Sequence, residues 1–135
     1  MTTPPPRPVP DLDSAPFWAA LARHELLVQH CDACGELQFP FRPACTRCLA
    51  PAPTTRAVSG RARVLSWVIT HRVFHPAFAD RVPYTTVLVR LEEGDDLLLY
   101  GLWDGEFPPQ AEGEGALARF VDHEGFTLVV WAPET

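Results

Sequence analysis

Cys31-Asp32-Ala33-Cys34 and Cys45-Thr46-Arg47-Cys48 hold all four cysteines of this 135-residue chain, as two Cys-x2-Cys pairs ten residues apart. Each pair sets two thiolates on one short knuckle, and two knuckles close a tetrahedral cage around an ion with metal–sulfur bonds of about 2.3 Å. A disulfide framework is the alternative use of four cysteines, but it belongs to oxidising compartments. The start, Met1-Thr2-Thr3-Pro4-Pro5-Pro6-Arg7-Pro8-Val9-Pro10, has no apolar signal-peptide centre. No later run approaches the ~18 apolar residues of a membrane span. The expectation is a cytoplasmic chain with reduced, metal-bound thiolates. An all-thiolate cage without an open position suits structural zinc. Iron stays open as the alternative, because rubredoxin-type electron carriers use similar knuckles. Gly35 follows the first knuckle, however, and Leu49 stands in the matching place after the second.

Working outward, Leu26-Leu27-Val28-Gln29 reads as a strand entering the first knuckle, and Leu37-Gln38-Phe39-Pro40-Phe41-Arg42 as the return strand into the second. Residues 26–50 therefore form a zinc ribbon. Such a segment is below the ~40 residues that sustain a hydrophobic core alone. Coordination, worth roughly 10–16 kcal/mol in isolated zinc peptides, is expected to order it. Before it, residues 14–25 read as a helix capped by Ser14, with Pro16 in the first turn and Phe17, Trp18, Leu21 and Ala22 on one face. Residues 1–13, with five prolines, read as an extended, mobile tail. Residues 51–57, beginning Pro51-Ala52-Pro53, read as a stiff linker.

From residue 58 the texture changes. Runs at 58–74, 84–91, 97–103, 116–122 and 126–132 are apolar and partly alternating, separated by Glu93-Gly94-Asp95-Asp96, Asp104-Gly105 and His123-Glu124-Gly125. Leu65, Trp67, Ile69 and Val73 share one parity, as do Val87, Val89 and Leu91. Five half-buried strands, the first of them long, suit a five-stranded OB-fold barrel over 58–135, since closure removes exposed edges. An open sandwich is the structural alternative. The whole chain is thus mainly β: N-terminal helix, rubredoxin-like zinc ribbon, OB-fold barrel.

At 47% hydrophobic and 21% charged content the chain buries one ordinary core and a metal-held satellite. The net charge of −6 disfavours general nucleic-acid affinity, which needs several cations per site. The charge is uneven: residues 1–91 carry ten Arg against six acids, and residues 92–135 one Arg against eleven. There is no Lys.

The ordered set Ser14-Ala15-Pro16-Phe17-Trp18, Cys31-Asp32-Ala33-Cys34-Gly35, Gln38-Phe39-Pro40-Phe41-Arg42-Pro43, Cys45-Thr46-Arg47-Cys48, Ser59-Gly60-Arg61 and Val82-Pro83-Tyr84 resembles a family of acyl-CoA-associated proteins long labelled a domain of unknown function. The resemblance covers nearly all of 13–133. Ala62, where the family often has glycine, and Phe41, where it usually has proline, depart from it, as does the acidic stretch Ala111-Glu112-Gly113-Glu114-Gly115. The resemblance implies a companion of thiolase-like enzymes, lipid-transfer-type aldolases or hotdog-fold hydratases. Such a companion caps a groove through which an acyl-CoA substrate reaches the catalytic subunit, and is not itself a catalyst.

The residues agree on that last point, since no Gly-x-Ser-x-Gly elbow, phosphate loop or His-Glu-x-x-His motif is present. His71 and His75, flanking Arg72 and Val73, are the residual proton-transfer candidates. A CoA groove calls for Arg beside a partly apolar surface. Arg42, Arg61, Arg72 and Arg81 are the candidates, with Phe74, His75 and Phe78 of the loop between the last two available to a pantetheine arm or a partner protein. A second class of function, a single-stranded nucleic-acid module, would use Trp67, Trp103 or Trp131 to stack bases.

Overall fold

The computed structural model describes residues 3–134; Met1 and Thr2 of the tail segment and Thr135 of the last segment lie outside the described residues. Helix α1 spans Ala15–Ala22. The ribbon strands are β1 (Leu27–His30), β2 (Leu37–Gln38) and β3 (Thr54–Ala57), in sheet order β2-β1-β3. The barrel strands are β4 (Arg61–Thr70), β5 (Tyr84–Leu91), β6 (Leu98–Leu102), β7 (Gly115–His123) and β8 (Phe126–Pro133). Their order is β6-β5-β4-β7-β8, and a parallel bridge between Trp103 and Trp131 brings the two ends together. A long first strand, two antiparallel hairpins and a parallel closing contact make the five-stranded OB-fold barrel.

Four local expectations change. Residues 54–57 of the expected linker are strand β3, antiparallel to β1 with Leu27 opposite Ala57 and His30 opposite Thr54, so the linker shortens to its proline-containing part. The return strand stops at Gln38, just before the cis Phe39–Pro40 bond. Ser14 makes no side-chain cap bond to α1; its Oγ accepts from the Asp11 amide and its amide donates to Asp11 Oδ1 at 2.7 Å. The buried face of α1 is Phe17, Ala20 and Leu21, with Ala22 exposed. Positions 17, 20 and 21 keep the helical i, i+3, i+4 spacing that Ala22 breaks.

Strand β4 shows why a single parity misreads a long strand. Its pairing with β5 slips between Val64 and Ser66, leaving Leu65 as the extra residue. A bulge reverses which side chains point inward. Ala62 and Val64 are buried before it and Trp67 packs on the core after it, while Ile69 and Val73, beyond the barrel's centre, are exposed.

The ribbon is not an isolated satellite. One hydrophobic cluster runs from Phe41 of the ribbon through Phe17 and Leu21 of α1 to Val64, Val87, Val89, Leu99 and Trp131 of the barrel. The Phe17 ring lies 5.3 Å from Phe39 and 5.9 Å from Phe41. Barrel closure depends on one close approach: Trp131 is fully buried, and a Cβ on Gly101 would sit 2.7 Å from its Cδ1. Only glycine fits there.

Candidate metal centre and partner surface

The two knuckles bring four sulfurs within 4.8 Å of one another, with Cys31–Cys48 and Cys34–Cys45 each at 3.6 Å. A regular tetrahedron with 2.3 Å bonds has edges of about 3.8 Å, whereas a disulfide requires about 2.05 Å. The cysteines are free and arranged as ligands. Local turns hold them: Gly35 N donates to Cys31 O at 2.8 Å, and Leu49 N to Cys45 O at 3.0 Å. Both following residues are left-handed, Gly35 at φ 79° and Leu49 at φ 66°, so the second knuckle keeps the geometry of the first without its glycine.

Amides aimed at sulfur favour the thiolate. The Cys48 amide, then that of Arg47, lowers Cys45 to about 6 against the effect of burial. At Cys34 the Glu36 amide also favours the thiolate, but burial and the neighbouring sulfurs outweigh it and push the thiol up to about 12. Four crowded sulfurs do not all ionise on their own; a divalent ion among them removes the conflict. Zinc held by Cys31, Cys34, Cys45 and Cys48 fits this site, where it would supply structural cross-linking.

Two buried glutamines order the second knuckle. Gln29 Oε1 accepts from Gln38 Nε2 and from the Arg42 amide, both at 2.8 Å, and Gln29 Nε2 donates to Arg42 O at 2.9 Å. Gln38 in turn donates to Ala44 O and accepts from the Thr46 amide at 2.9 Å. Single glutamines in short strands carry no pattern; only their burial, at 6% and 7% exposure, marks them.

The candidate CoA and partner residues do not form one site. Arg72, Phe74, His75, Phe78 and Arg81 share the β4–β5 loop, where the guanidinium carbons of Arg72 and Arg81 each lie 5.4 Å from a ring, of Phe74 and Phe78 respectively. Phe74 is 73% exposed. His75 Nδ1 accepts from the Ala77 amide at 3.1 Å, capping a 3-10 turn at Pro76–Phe78, and is so engaged in local structure. Arg61 begins β4, about 30 Å from that loop along a ten-residue strand. It pairs with Glu134 at 2.8 Å in a cleft of about 330 Å³ that also holds Arg63, Arg90, Glu92 and Asp95. Arg63 and Arg90, directly opposite across the β4–β5 ladder, were missed because they lie 27 positions apart in sequence. Arg42 is exposed, with its backbone tied to Gln29. Of the base-stacking candidates, Trp131 is excluded by its complete burial, and Trp67 and Trp103 pack against the core.

A wider apolar groove of about 480 Å³ opens between β6 and β8, walled by Phe17, Trp18, Phe39, Phe78, Tyr100 and Leu102. Among the described residues no helix is long and apolar enough to cross a membrane.

A four-cysteine ribbon joined through one core to a five-strand barrel, whose ends meet at one bridge, defines a zinc-ribbon and OB-fold protein. Residues 18–54 match the family described as ChsH2, rubredoxin-like zinc ribbon domain, and residues 55–121 the one described as ChsH2, C-terminal OB-fold domain. The chain belongs to this ChsH2 family of DUF35 proteins. It is similar to a chain of the solved Ltp2-ChsH2(DUF35) aldolase, with a TM-score of 0.85 and 30% identity over 94% of this chain and 98% of that one. It is 33% identical over 95% of its length to the 3-oxo-4,17-pregnadiene-20-carboxyl-CoA hydratase alpha subunit of Mycobacterium tuberculosis, and 36% identical over 69% to a "Probable enoyl-CoA hydratase alpha subunit" of Thermomonospora curvata. The matches cover 40% and 28% of those two proteins, so the chain spans less than half of either. These relatives are thus named as subunits of a hydratase or as part of an aldolase complex.

Proposed function

We propose that this chain is a non-catalytic accessory subunit of an acyl-CoA-processing enzyme. It stabilises a thiolase-like, lipid-transfer-type aldolase or hydratase partner and helps form the channel through which the CoA-linked substrate reaches that partner. The observation that carries the reading is the end-to-end likeness to the aldolase-associated chain. The division of labour within the molecule supports it. The metal site is closed and structural, while Phe74 and the Arg72 and Arg81 guanidiniums stand out on a loop of the barrel. Apolar and aromatic groups flanked by Arg suit both a protein interface and a pantetheine phosphate arm. The finer roles, acyl-CoA contact and action in lipid metabolism, rest on the same likeness.

The test is isolation of the chain from native cells with identification of what accompanies it. A thiolase-like, aldolase or hydratase subunit in stoichiometric amount is expected. Such an enzyme remaining fully active and stable when this chain is deleted would refute the reading.

A further inference from the structure

The tail that composition marks as mobile lies along the molecule. Pro8 and Pro10 rest in a cleft with Trp18, Ala19 and Ala22 of α1 and Phe126 of β8. The Arg7 guanidinium donates to Gly125 O at 3.3 Å, and its Nη2 lies 2.9 Å from where a Cβ on Gly125 would be. Pro5 and Pro6 line the apolar groove between β6 and β8. At the other end, the reciprocal Asp11–Ser14 bonds fix the segment where it joins α1.

The two half-buried positions of this segment lie three residues apart. Pro5 and Pro8 are half-buried, while Pro4, Pro6, Arg7 and Val9 are exposed, Val9 at 90%. If apolar character alone decided, Val9 would point inward. A left-handed polyproline helix has three residues per turn and sets positions i and i+3 on one face, the spacing that separates Pro5 from Pro8. The surface beneath matches, since Pro-x-x-Pro segments dock in grooves walled by aromatic rings. Phe17, Trp18, Phe39, Phe78 and Tyr100 line the groove at Pro5 and Pro6, and Trp18 with Phe126 lines the adjoining cleft at Pro8.

The groove also coincides with the gap in the barrel. Trp103 N bonds Thr85 O, so by antiparallel alternation Gly101 and Leu99 bond toward β5, while the backbones of Leu98, Tyr100 and Leu102 face away from it. On that side, among the described residues, no ladder joins β8 to β6, and the backbone link is the Trp103–Trp131 bridge with the Asp104 N to Trp131 O bond. An open edge of this kind invites pairing with another chain, and proline, lacking an N–H, covers it without extending the sheet.

We propose that this groove and the adjoining cleft, which share Trp18 as a wall, form one polyproline-recognition site and that Pro5-Pro6-Arg7-Pro8 is its ligand in cis, a strap that covers the open edge of the barrel. This assignment is independent of the accessory-subunit reading. The test deletes residues 1–10 from the metal-bound chain and adds a synthetic peptide of residues 3–10. Trp18 emission, taken as the difference from Trp18→Phe, reports binding. The truncated chain should bind the peptide saturably, and the full-length chain should require at least tenfold more. A peptide with Pro5→Ala and Pro8→Ala should bind at least tenfold more weakly, and one with Val9→Ala as well as the original. No binding to a folded truncated chain, or equal binding of all three peptides, overturns the proposal. Should truncation prevent folding, the full-length chain decides. Pro5→Ala with Pro8→Ala should at least double acrylamide quenching of Trp18, and Val9→Ala should leave it unchanged; equal quenching in both variants overturns the proposal.

Discussion

Replacing Gln29 with Leu removes three hydrogen bonds from the second knuckle while keeping side-chain bulk. The side chain satisfies the Arg42 amide, the Arg42 carbonyl and one Gln38 Nε2 proton, all at 2.8–2.9 Å. A buried polar group left without a partner costs about 1–3 kcal/mol. Arg42 is exposed and regains some water, and Gln38 keeps its bond to Ala44 O. The net cost is therefore about 3 kcal/mol, nearer one full unsatisfied group and part of two others than the sum of three. Folding of a ribbon and binding of its metal are one equilibrium. The loss should appear as roughly 100-fold weaker zinc binding, at about 1.4 kcal/mol per decade. Chelator competition on the purified chain measures this. Gln38→Leu strands the Thr46 amide and Ala44 O instead, and because both variants lose the Gln29–Gln38 bond, the double variant should cost less than the two singles added. Competition curves that coincide with the parent chain would refute the claim that these glutamines hold the metal site.

Gly101→Ala should destabilise the barrel by about 1–3 kcal/mol in urea unfolding, because Trp131 is fully buried and has nowhere to retreat from the added methyl. Leu49→Gly should be neutral or stabilising by about 0.5 kcal/mol, since relief at φ 66° offsets the entropy that glycine adds to the unfolded chain; a melting temperature several degrees lower would contradict it. Asp122 accepts from His24 Nε2 at 3.0 Å, the larger cause, and from Thr127 Oγ1 at 2.7 Å, and its carboxyl is held below the ordinary 3.8. A lowered folded-state value gives stability that is whole above the unfolded pKa and is lost as pH falls through the folded one. Asp122→Asn should therefore flatten the decline in stability from about pH 5 downward, and an unchanged acid limb would count against the His24–Asp122 link.

The metal site was legible because Cys-x2-Cys spacing directly encodes knuckle geometry, and the barrel strands were legible as apolar runs, with turn residues separating the last four. The remainder was hidden for separable physical reasons. The bulge at Leu65 reverses parity without any local sequence mark. Strand β3 is fully exposed in side chain, so Thr54–Ala57 shows no apolar alternation and owes its form to backbone pairing with β1. Ser14 was read as a cap from its residue type, yet Asp11 three residues earlier competes for its hydrogen bonds. The expectation of a mobile tail follows from composition, which cannot register that Pro5 meets the aromatic groove and Pro8 the adjoining cleft beside Trp18 and Phe126. Among the Arg candidates, Arg72 and Arg81 are close in sequence and stand on one loop, but sequence could not show that Arg61 joins Arg63 and Arg90 in one cleft.

The central claim is that this chain supports another protein's chemistry. The most direct measurement is turnover of the acyl-CoA substrate by the co-isolated enzyme subunit alone, by the zinc-loaded chain alone, and by the two combined in equal amounts. The account predicts no turnover by the chain, diminished or unstable turnover by the subunit, and full turnover on recombination, with Phe74→Ala together with Arg72→Ala weakening recovery. Turnover by the chain alone, or a subunit indifferent to its presence, would contradict it.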